Sequence, residues 1–345
     1  MAGRILWASL ALAPATVVLD LVAHPGKVTL FLLSALSLVP LAWLIGAATE
    51  QAAEHTGPGV GGFLNASFGN APELIISLFA VSNGLPGVVR GSLAGSVISN
   101  LLLVFGVSQL VGPAKELDRR SLLTQLGLIG VAVLLFVPPV VLGYTGHPER
   151  HSAVLASIPF AVVLLVLYLV VTRGNLLRHT QAERREASPD AWTLPMALGT
   201  LAVATVATAF VSELLVHSLD AFARAVGATD FFIAIVIVAI VGNAAEHGGS
   251  IVIARAGKMK LASEIAVSSG AQVALLVTPA VILLSLFFRH ALPLSFRWEE
   301  LAGMAGATVL VTGSVADGRS GGRKGGVLVL AYALLVVGFL VAGNR

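Results

Sequence analysis

The chain contains eleven apolar stretches that are each long enough to cross a bilayer as a helix, and this feature constrains its fold most strongly. A membrane-spanning helix needs about 20 mostly apolar residues. Only 11% of the residues are charged, whereas a soluble domain carries about 25%, and the mean hydropathy is +0.92. The sequence therefore predicts an all-α integral membrane protein. The predicted spans are roughly 5–22, 28–48, 59–82, 88–111, 121–143, 152–172, 192–219, 230–255, 260–287, 297–315 and 325–342.

A polar stretch in the middle of the chain divides these spans into two groups of five, which follow one amino-terminal helix. Because each group has an odd number of spans, the two groups enter the membrane in opposite orientations, as in inverted-repeat transporters. The polar stretch mixes acidic and basic residues, and it is either a solvated cytosolic spacer or a short regulatory amphipathic helix. The predicted units are the amino-terminal helix 1–27, the first repeat 28–172, the linker 173–191 and the second repeat 192–345.

The amino-terminal stretch has some features of a signal peptide, because Arg4 precedes an apolar run. Asp20 interrupts that run and no clear A-x-A cleavage site follows, so a retained helix is expected. If the amino terminus lies in the cytoplasm, about two thirds of the Lys and Arg residues fall in cytosolic loops, as the positive-inside rule requires. The carboxyl terminus is then external. Abundant Ala, Gly and Arg indicate a bacterial protein, and hence the bacterial cytoplasmic membrane.

Two copies of one short motif lie inside apolar spans: Gly69-Asn70-Ala71-Pro72-Glu73 and Gly242-Asn243-Ala244-Ala245-Glu246-His247. An ionisable side chain at this depth is costly, so it usually serves transport or proton chemistry. One constant shift along the chain superposes the two copies and their surroundings, which indicates a duplication. The identities at this shift are Gly69, Asn70, Ala71, Glu73, Ser77, Gly84 and Ser96 over Gly242, Asn243, Ala244, Glu246, Ser250, Gly257 and Ser269.

The polar residues near the predicted midplane form a set of oxygen donors and amides. Both motif glutamates lie within about 5 Å of the midplane, at 1.5 Å per helical residue. Glycine at the start of each motif permits a loosened backbone whose carbonyls become ligands. With no cysteine in the chain, this donor set favours Ca²⁺, and then Mn²⁺, over zinc or copper. The predicted metal ligands and lining residues are Glu73, Glu246, Asn70, Asn243, Gly69, Gly242, Ser96, Ser99, Ser269 and Gln272.

Charge balance at this site predicts exchange rather than one-way passage. Glu73 and Glu246 carry two negative charges, which one divalent cation balances. When the cation leaves, two neighbouring carboxylates in a low-dielectric site cannot both stay charged at low cost, so protons replace it. His247 titrates near neutrality and is a candidate for proton traffic. Glu50 and Glu213 precede the motif in each half and are candidates for attracting cations to a cytosolic vestibule.

Structural explanations for the same residues stay open. A membrane Asn or Ser often bonds one helix to another, which applies to Ser77, Ser250 and Asn100. For Glu73 and Glu246, the alternative is a buried neutral carboxyl in a hydrogen bond. His247 would then only pack or bond Glu246, and Glu50 and Glu213 would be ordinary charges at helix ends. The remaining acids lie near predicted helix ends and are interpreted as interfacial. These are Asp20, Asp220, Asp230, Glu299 and Glu300.

The motif segments resemble the calcium/proton antiporter (CAX) family of the calcium/cation antiporter superfamily. The resemblance is carried by GGFLNASFGNAPELI (61–75), GSVISNLLLVFG (95–106), VGNAAEH (241–247) and SSGAQVALLVTP (268–279), and it covers most of the chain. It implies ten core helices plus an amino-terminal helix, and Ca²⁺ transport driven by a proton gradient. By motif position it implies that Glu73 and Glu246 bind the ion and the protons. Members often carry an acidic helix between the halves, whereas this linker is mixed in charge.

Several other functions compete with proton-coupled calcium exchange. A sodium/calcium exchanger of the same superfamily or a Mn²⁺/H⁺ exchanger would use a similar site. An intramembrane metalloenzyme would need ligand spacing such as H-E-x-x-H, and the chain offers only the pairs Glu54-His55 and Glu246-His247. A passive channel usually needs several subunits. We therefore expect a transporter and not an enzyme, with Ca²⁺, H⁺ and lipid as partners, no cofactor and no nucleic acid, as a monomer or a homo-oligomer.

Overall fold

The computed structural model describes residues 2–144, 151–179 and 192–343, and the regular structure of these residues is helical apart from one β-bridge between Glu116 and Arg319. Helices α5, α9 and α11 each contain a short π-helical segment. The helices are α1 (Ala2–Ser9), α2 (Leu12–Ala23), α3 (Lys27–Gly69), α4 (Ala71–Ser82), α5 (Pro86–Val111), α6 (Arg119–Tyr144), α7 (His151–His179), α8 (Leu194–Ala225), α9 (Asp230–Gly242), α10 (Ala244–Arg255), α11 (Met259–Ser285), α12 (Trp298–Val315) and α13 (Gly322–Gly343).

The all-helical membrane class predicted from the sequence is confirmed. Within the described ranges, eight helices are long and apolar enough to cross a bilayer, and the bent pair α9 and α10 makes a ninth candidate. The two other predicted spans correspond to α4, which is short because the chain breaks at Asn70, and to α12, whose first turn carries Glu299 and Glu300. Each of the eleven apolar stretches therefore contains helix, although length and hydropathy alone support only eight or nine spans.

The predicted end of the second span at residue 48 is wrong. Helix α3 continues without a break to Gly69, so the helix ends at the motif and not in a loop before it. The reason lies in residues 47–54, which read Ala-Ala-Thr-Glu-Gln-Ala-Ala-Glu and are mostly strong helix formers. The predicted linker 173–191 also begins within a helix, since α7 runs to His179. Residues 180–191 lie outside the described part of the chain.

Helices α3 and α8 form a long antiparallel pair. Phe31 stacks on Phe222 with ring centroids 4.2 Å apart. At the opposite end of the pair, the backbone N–H of Trp192 donates to Gln51 Oε1 at 2.7 Å, so the start of α8 is tied to the far part of α3. Helix α2 packs on the outside of this pair, where a 3.0 Å hydrogen bond joins the hydroxyls of Thr16 and Ser37.

Helices α5 and α9 pack backbone to backbone in the centre of the bundle. Gly91 and Gly95 of α5 face the first turns of α9, and a β-carbon on Gly95 would collide with the carbonyl oxygen of Ile235. Small residues spaced four apart allow this close approach between membrane helices. The face of α5 that carries Ser96 is therefore held at a fixed distance from the second motif.

Glu300 differs from its prediction as an interfacial acid, because it is buried at the start of α12. Its carboxylate oxygen Oε2 accepts the backbone N–H of Arg297 at 2.5 Å, and the guanidinium of the buried Arg90 on α5 lies within electrostatic range. An acid that caps its own helix and faces a cation can be buried at low cost. The sequence pattern did not reveal this pairing, since the two residues belong to different halves of the chain.

We expect Gly95→Ala to destabilise the bundle, whereas Gly87→Ala on the same helix leaves it intact. The added methyl group at position 95 collides with the Ile235 carbonyl, while one at position 87 meets no atom within 4 Å. Overpacking of this kind typically costs about 1–3 kcal/mol. The measurement is thermal unfolding of both variants in the same detergent. Equal melting temperatures for the two variants would contradict the packing described for α5 and α9.

Candidate functional site

The two motif copies break their helices in the same way. Asn70 joins α3 to α4 and Asn243 joins α9 to α10, and both residues have φ near −96°, with ψ of 14° and 10° respectively. The second break bends the helix axis by 59°. Glu73 and Glu246 then lie in the first turns of α4 and α10, where unpaired backbone N–H groups and the helix dipole favour a negative charge. Each carboxylate thus begins a short helix inside the bundle.

The two motifs meet at Gly242. A β-carbon on Gly242 would lie 3.4 Å from Cγ and 3.5 Å from Oε1 of Glu73, so the glutamate of the first motif packs on the glycine of the second. The carboxylates of Glu73 and Glu246 are also within electrostatic range of each other. A β-carbon at position 242 would thus be in van der Waals contact with Glu73. The structure therefore brings the two predicted acids to one location.

Asn243 is the centre of a hydrogen-bond network that connects the second motif to α5. Its Nδ2 donates to Ser96 Oγ at 2.8 Å and to the carbonyl oxygen of Ala239 at 2.9 Å. Its Oδ1 accepts from Nδ2 of Asn100 at 3.2 Å, and Asn100 also donates to the Ser96 carbonyl at 3.0 Å. Ser99 Oγ donates to the same carbonyl at 3.3 Å. Asn243 is thereby fixed in orientation by hydrogen bonds at both ends of its amide.

The amide of the first motif is held differently. Asn70 Nδ2 donates to Gln272 Oε1 on α11 at 2.7 Å, which connects the break in the first motif to the second half of the chain. Ser269, one turn before Gln272, is buried, and its hydroxyl oxygen has no hydrogen-bond partner among the described residues. Side-chain hydrogen bonds therefore connect the two halves of the chain at this place, and they join Asn70 to Gln272 and Asn243 to Ser96. Ser269 takes part in neither bond.

Several polar atoms around the acids are buried and lack hydrogen-bond partners within the described chain. They include Oε2 of Glu73, Oε2 of Glu246, Nε2 of His247 and Oγ of Ser77. The great majority of buried polar groups in folded proteins have a partner, so each exception needs an explanation. A cation or a proton bound at this place would supply the missing interaction for the two carboxylates.

A narrow crevice opens beside Glu73. Its walls are formed by α4, α5 and α9, and the space is narrower than a water molecule. Three of the lining positions, Glu73, Ser96 and Gly242, were predicted from the sequence. Ser92 also lines the crevice and was missed, although it lies four residues before Ser96 and so on the same face of α5. The lining residues are Glu73, Ile76, Ser92, Leu93, Ser96, Val238 and Gly242.

The candidates for proton traffic and gating lie in different surroundings. His247 follows Glu246 on α10 and is buried. Glu50 and Glu213 are exposed on α3 and α8, and the structure does not bring them to the crevice. Gly69 closes α3 directly before Asn70. The predicted site residues of the two motifs, α5 and α11 thus converge, and the two outer acids remain apart.

The donor set suits a hard cation. Among the described residues, no group of three or more His, Cys, Asp or Glu side chains is arranged to hold a metal. The two carboxylates would instead be supplemented by neutral oxygens of Asn70, Ser96, Ser269 and Gln272, and by carbonyls near the helix breaks. Ca²⁺ accepts six to eight such oxygen ligands with flexible geometry. The arrangement can thus hold one divalent cation with charge balance.

Comparison with known proteins finds clear relatives over nearly the whole chain. A family model described as sodium/calcium exchanger protein matches residues 27–175 and 196–341. The Ca²⁺/H⁺ antiporter ChaA of Bacillus subtilis (strain 168) is 38% identical over 340 residues, which cover 95% of this chain and 96% of the relative. The Ca²⁺/H⁺ antiporter of Aphanothece halophytica is 31% identical over 342 residues, with 92% and 91% covered.

Solved structures give the same result for the fold. The structure of native YfkE superposes with a TM-score of 0.84 at 35% identity and covers 98% of this chain and 100% of that one. The crystal structure of the H⁺/Ca²⁺ exchanger CAX superposes with a TM-score of 0.74, covering 99% of this chain and 93% of that one. At 18% identity, this second match concerns the fold alone.

We expect Asn243→Ala to lower stability strongly, whereas Asn83→Ala has little effect. The first change removes three buried hydrogen bonds and leaves Ser96 and Asn100 with unpaired polar atoms, at a cost of about 2–4 kcal/mol. Asn83 is exposed, and its side chain donates to the carbonyl of Phe79 in contact with water. Thermal unfolding in detergent measures both changes. Similar melting temperatures for the two variants would show that the network around Asn243 does not support the site.

Proposed function

This chain belongs to the sodium/calcium exchanger protein family, and on that premise we propose that it is a secondary transporter that exchanges Ca²⁺ for H⁺ across a membrane. Relatives at 38% and 31% identity, matched over most of their length, are named Ca²⁺/H⁺ antiporters. The observation that carries the proposal is the contact of Glu73 with Gly242, which brings together the acids of both motifs. The protein is thus a transporter and not an enzyme.

Charge balance supplies the reason for exchange. Two carboxylates that share a buried site repel each other and have lost their hydration, so both are charged at low cost only when a divalent cation lies between them. When Ca²⁺ leaves, protons neutralise the carboxylates. The site therefore crosses the bilayer either with one Ca²⁺ or with protons, which couples the two flows. This balance gives a coupling of at least two protons per Ca²⁺.

We assign the ion ligands by their position around the two acids. Glu73 and Glu246 bind Ca²⁺ or protons in alternation. Asn70, Ser96, Ser269 and Gln272 supply neutral oxygens, Gly69 and Gly242 allow the backbone to approach, and Asn243 and Ser99 support the α5 side of the site. His247 follows Glu246 directly in the chain and is buried, and we assign it a role in proton transfer from this position. Glu50 and Glu213 are exposed on the paired helices α3 and α8. A role in attracting cations to the entrance stays a prediction from their positions in the sequence.

Matching helix boundaries support two repeats. The shift that carries Asn70 onto Asn243 also superposes α4 (Ala71–Ser82) on α10 (Ala244–Arg255), and it superposes the starts of α5 and α11. The turns that follow α4 and α10, at Gly84 and Gly257, both have a positive φ. Gly257 accepts a hydrogen bond from Lys115, beyond the far end of α5, so its turn lies at the opposite end of the bundle from Gly84. This antiparallel relation supports inverted topology.

The remaining assignments follow from this symmetry. We assign 28–172 and 192–345 to the two five-helix repeats, 1–27 to an additional amino-terminal helix, and 173–191 to a cytosolic linker. Eleven spans then cross the bilayer, with the amino terminus in the cytoplasm and the carboxyl terminus outside. The membrane is the bacterial cytoplasmic membrane, and Mn²⁺ is the most similar alternative cargo.

Purified protein in sodium-free proteoliposomes tests the proposed function. With a pH gradient imposed, we expect Ca²⁺ uptake that collapses when a protonophore removes the gradient. Addition of sodium without a pH gradient should drive no Ca²⁺ movement. A Ca²⁺ flux that depends on sodium and ignores pH would instead identify a sodium/calcium exchanger, which is the main alternative within this family.

Neutralisation of either motif glutamate tests the site. We expect Glu73→Gln or Glu246→Gln to reduce Ca²⁺-driven proton movement by about 100-fold or more, because the site then lacks the second charge that balances Ca²⁺ and carries protons (about 2–3 kcal/mol of lost charge stabilisation). Glu299→Gln, at an exposed position of α12, is the matched control. Proton release measured with a pH dye in vesicles reports the result. Wild-type exchange in either site variant would refute the assignment.

A further inference from the structure

The crevice beside Glu73 extends towards only one end of the bundle. Three of its lining residues lie about one helical turn from a residue of the site. Ile76 follows Glu73 on α4, Val238 precedes Gly242 on α9, and Ser92 precedes Ser96 on α5. Helix α4 runs from Asn70 towards the turn at 83–85, and α5 starts from that turn, so Ile76 and Ser92 are displaced in the same direction. Val238 is displaced towards the start of α9, which lies at this end too.

Neighbouring contacts identify this end of the bundle. Gly84 lies beside the ring of His290, which belongs to the connection between α11 and α12. Arg297 lies over the ring of Phe231 at 4.4 Å from its centroid, at the start of α9. Under the orientation assigned above, these connections are external. The crevice therefore follows the outer half of the path from the two acids.

Ser92 provides the first oxygen on this path. Its side chain is 7% exposed, and its hydroxyl donates to the carbonyl of Val89 at 3.1 Å. Since the hydrogen of the hydroxyl is used within its own helix, the oxygen lone pairs remain available to accept or to coordinate. Ser92 lies one turn, or about 6 Å along the helix axis, outward from Ser96. The two hydroxyls thus lie at successive depths along the crevice.

The charged residue nearest to Ser92 along α5 is Arg90. It is two residues away, which places it on another face of the helix, and it lies within electrostatic range of the buried Glu300 of α12. A path that follows the crevice outward from Glu73 reaches the Ser92 hydroxyl within about one helical turn.

The two repeats differ at this position. The shift that superposes Ser96 on Ser269 places Ser92 over Ile265 of α11, which has no side-chain oxygen to offer. In the inverted arrangement, Ile265 occupies the corresponding place on the cytosolic half of the path. If Ser92 served only helix packing, we would expect no link between its hydroxyl and the external half of the path. The hydroxyl is nevertheless present at this position of the external half, whereas Ile265 stands at the matching position of the second repeat.

We propose that Ser92 is a cation ligand of the outer half-path, which binds Ca²⁺ as it passes between the two acids and the external side. The inference rests on the proposed Ca²⁺/H⁺ exchange and adds a residue that acts on one side of the membrane. Ser92 contributes to the affinity for Ca²⁺ from the external side, while the affinity from the cytosolic side depends on other residues.

Transport from each face separately tests this inference. Right-side-out and inside-out vesicles that contain the wild type, Ser92→Ala or Ser108→Ala are compared by the KM for Ca²⁺. Ser92→Ala should raise the KM about threefold to tenfold from the external face, with less than a twofold change from the cytosolic face. Ser108 is the control, because it is also buried on α5 and bonds Ser250 away from the crevice.

A second variant uses the absence of cysteine from the chain. Ser92→Cys keeps the side-chain size but replaces a hard oxygen by a soft thiol, so it should lower the affinity for external Ca²⁺ and create sensitivity to Cd²⁺. We expect Cd²⁺ to inhibit this variant from the external face at a concentration at least tenfold below that needed for the wild type. This gain of sensitivity requires a folded protein, so it cannot come from misfolding.

The outcomes separate this inference from the proposed function. If the wild type does not exchange Ca²⁺ for H⁺, the proposed function and the role of Ser92 both fail. If the wild type exchanges the ions, but Ser92→Ala shifts the KM equally from both faces or from neither, only the role of Ser92 is refuted. Equal Cd²⁺ sensitivity of Ser92→Cys and the wild type from outside also refutes it. A KM shift from the external face alone, together with the gain in Cd²⁺ sensitivity, supports the inference.

Discussion

The burial of two carboxylates at one point in a bundle of apolar helices is the constraint on which the rest of the structure depends. Glu73 of the first motif lies directly against Gly242 of the second. Two acids at this distance from water require a counter-charge, which the helix N-termini supply in part and a bound cation or protons complete. In the proposed mechanism, the exchange chemistry follows from where the chain puts its acids.

A rigid frame holds these acids in register. Gly91 and Gly95 bring α5 into backbone contact with α9, and the amide network of Asn243, Ser96 and Asn100 joins the same helices one layer deeper. Each of α5, α9 and α11 has a π-helical segment close to its polar residues. Such segments are frequent at functional sites. They change the pattern of backbone hydrogen bonds within the helix. Close packing and local irregularity thus occur side by side, and together they fix the polar groups.

The two motif copies match at one constant shift along the sequence, but their side chains are held differently. Asn243 uses both ends of its amide in hydrogen bonds, whereas Asn70 donates to Gln272, and Ser269 has a buried hydroxyl with no partner in the described chain. The amide of Asn243 is therefore held in place by its hydrogen bonds, whereas Asn70 and Ser269 keep polar atoms that can turn towards an ion. An exchanger that must present its site to two different solutions gains from such a difference, because the two half-paths need not bind with equal strength.

The sequence by itself determined the membrane class, and it indicated a loosened backbone at each motif and the two acids that we propose as ion ligands. These are local properties: apolar runs require helix in lipid, and Gly-Asn-Ala before the acid interrupts the helix in both copies. The matching bounds of α4 and α10 follow from the same local pattern. Tertiary structure alone decided the burial of Glu300 beside Arg90, the bond between Asn100 and Asn243, and the position of Ser92 in the crevice. Each of these depends on which helices become neighbours although they lie far apart along the chain, and a single sequence carries no local signal for that choice.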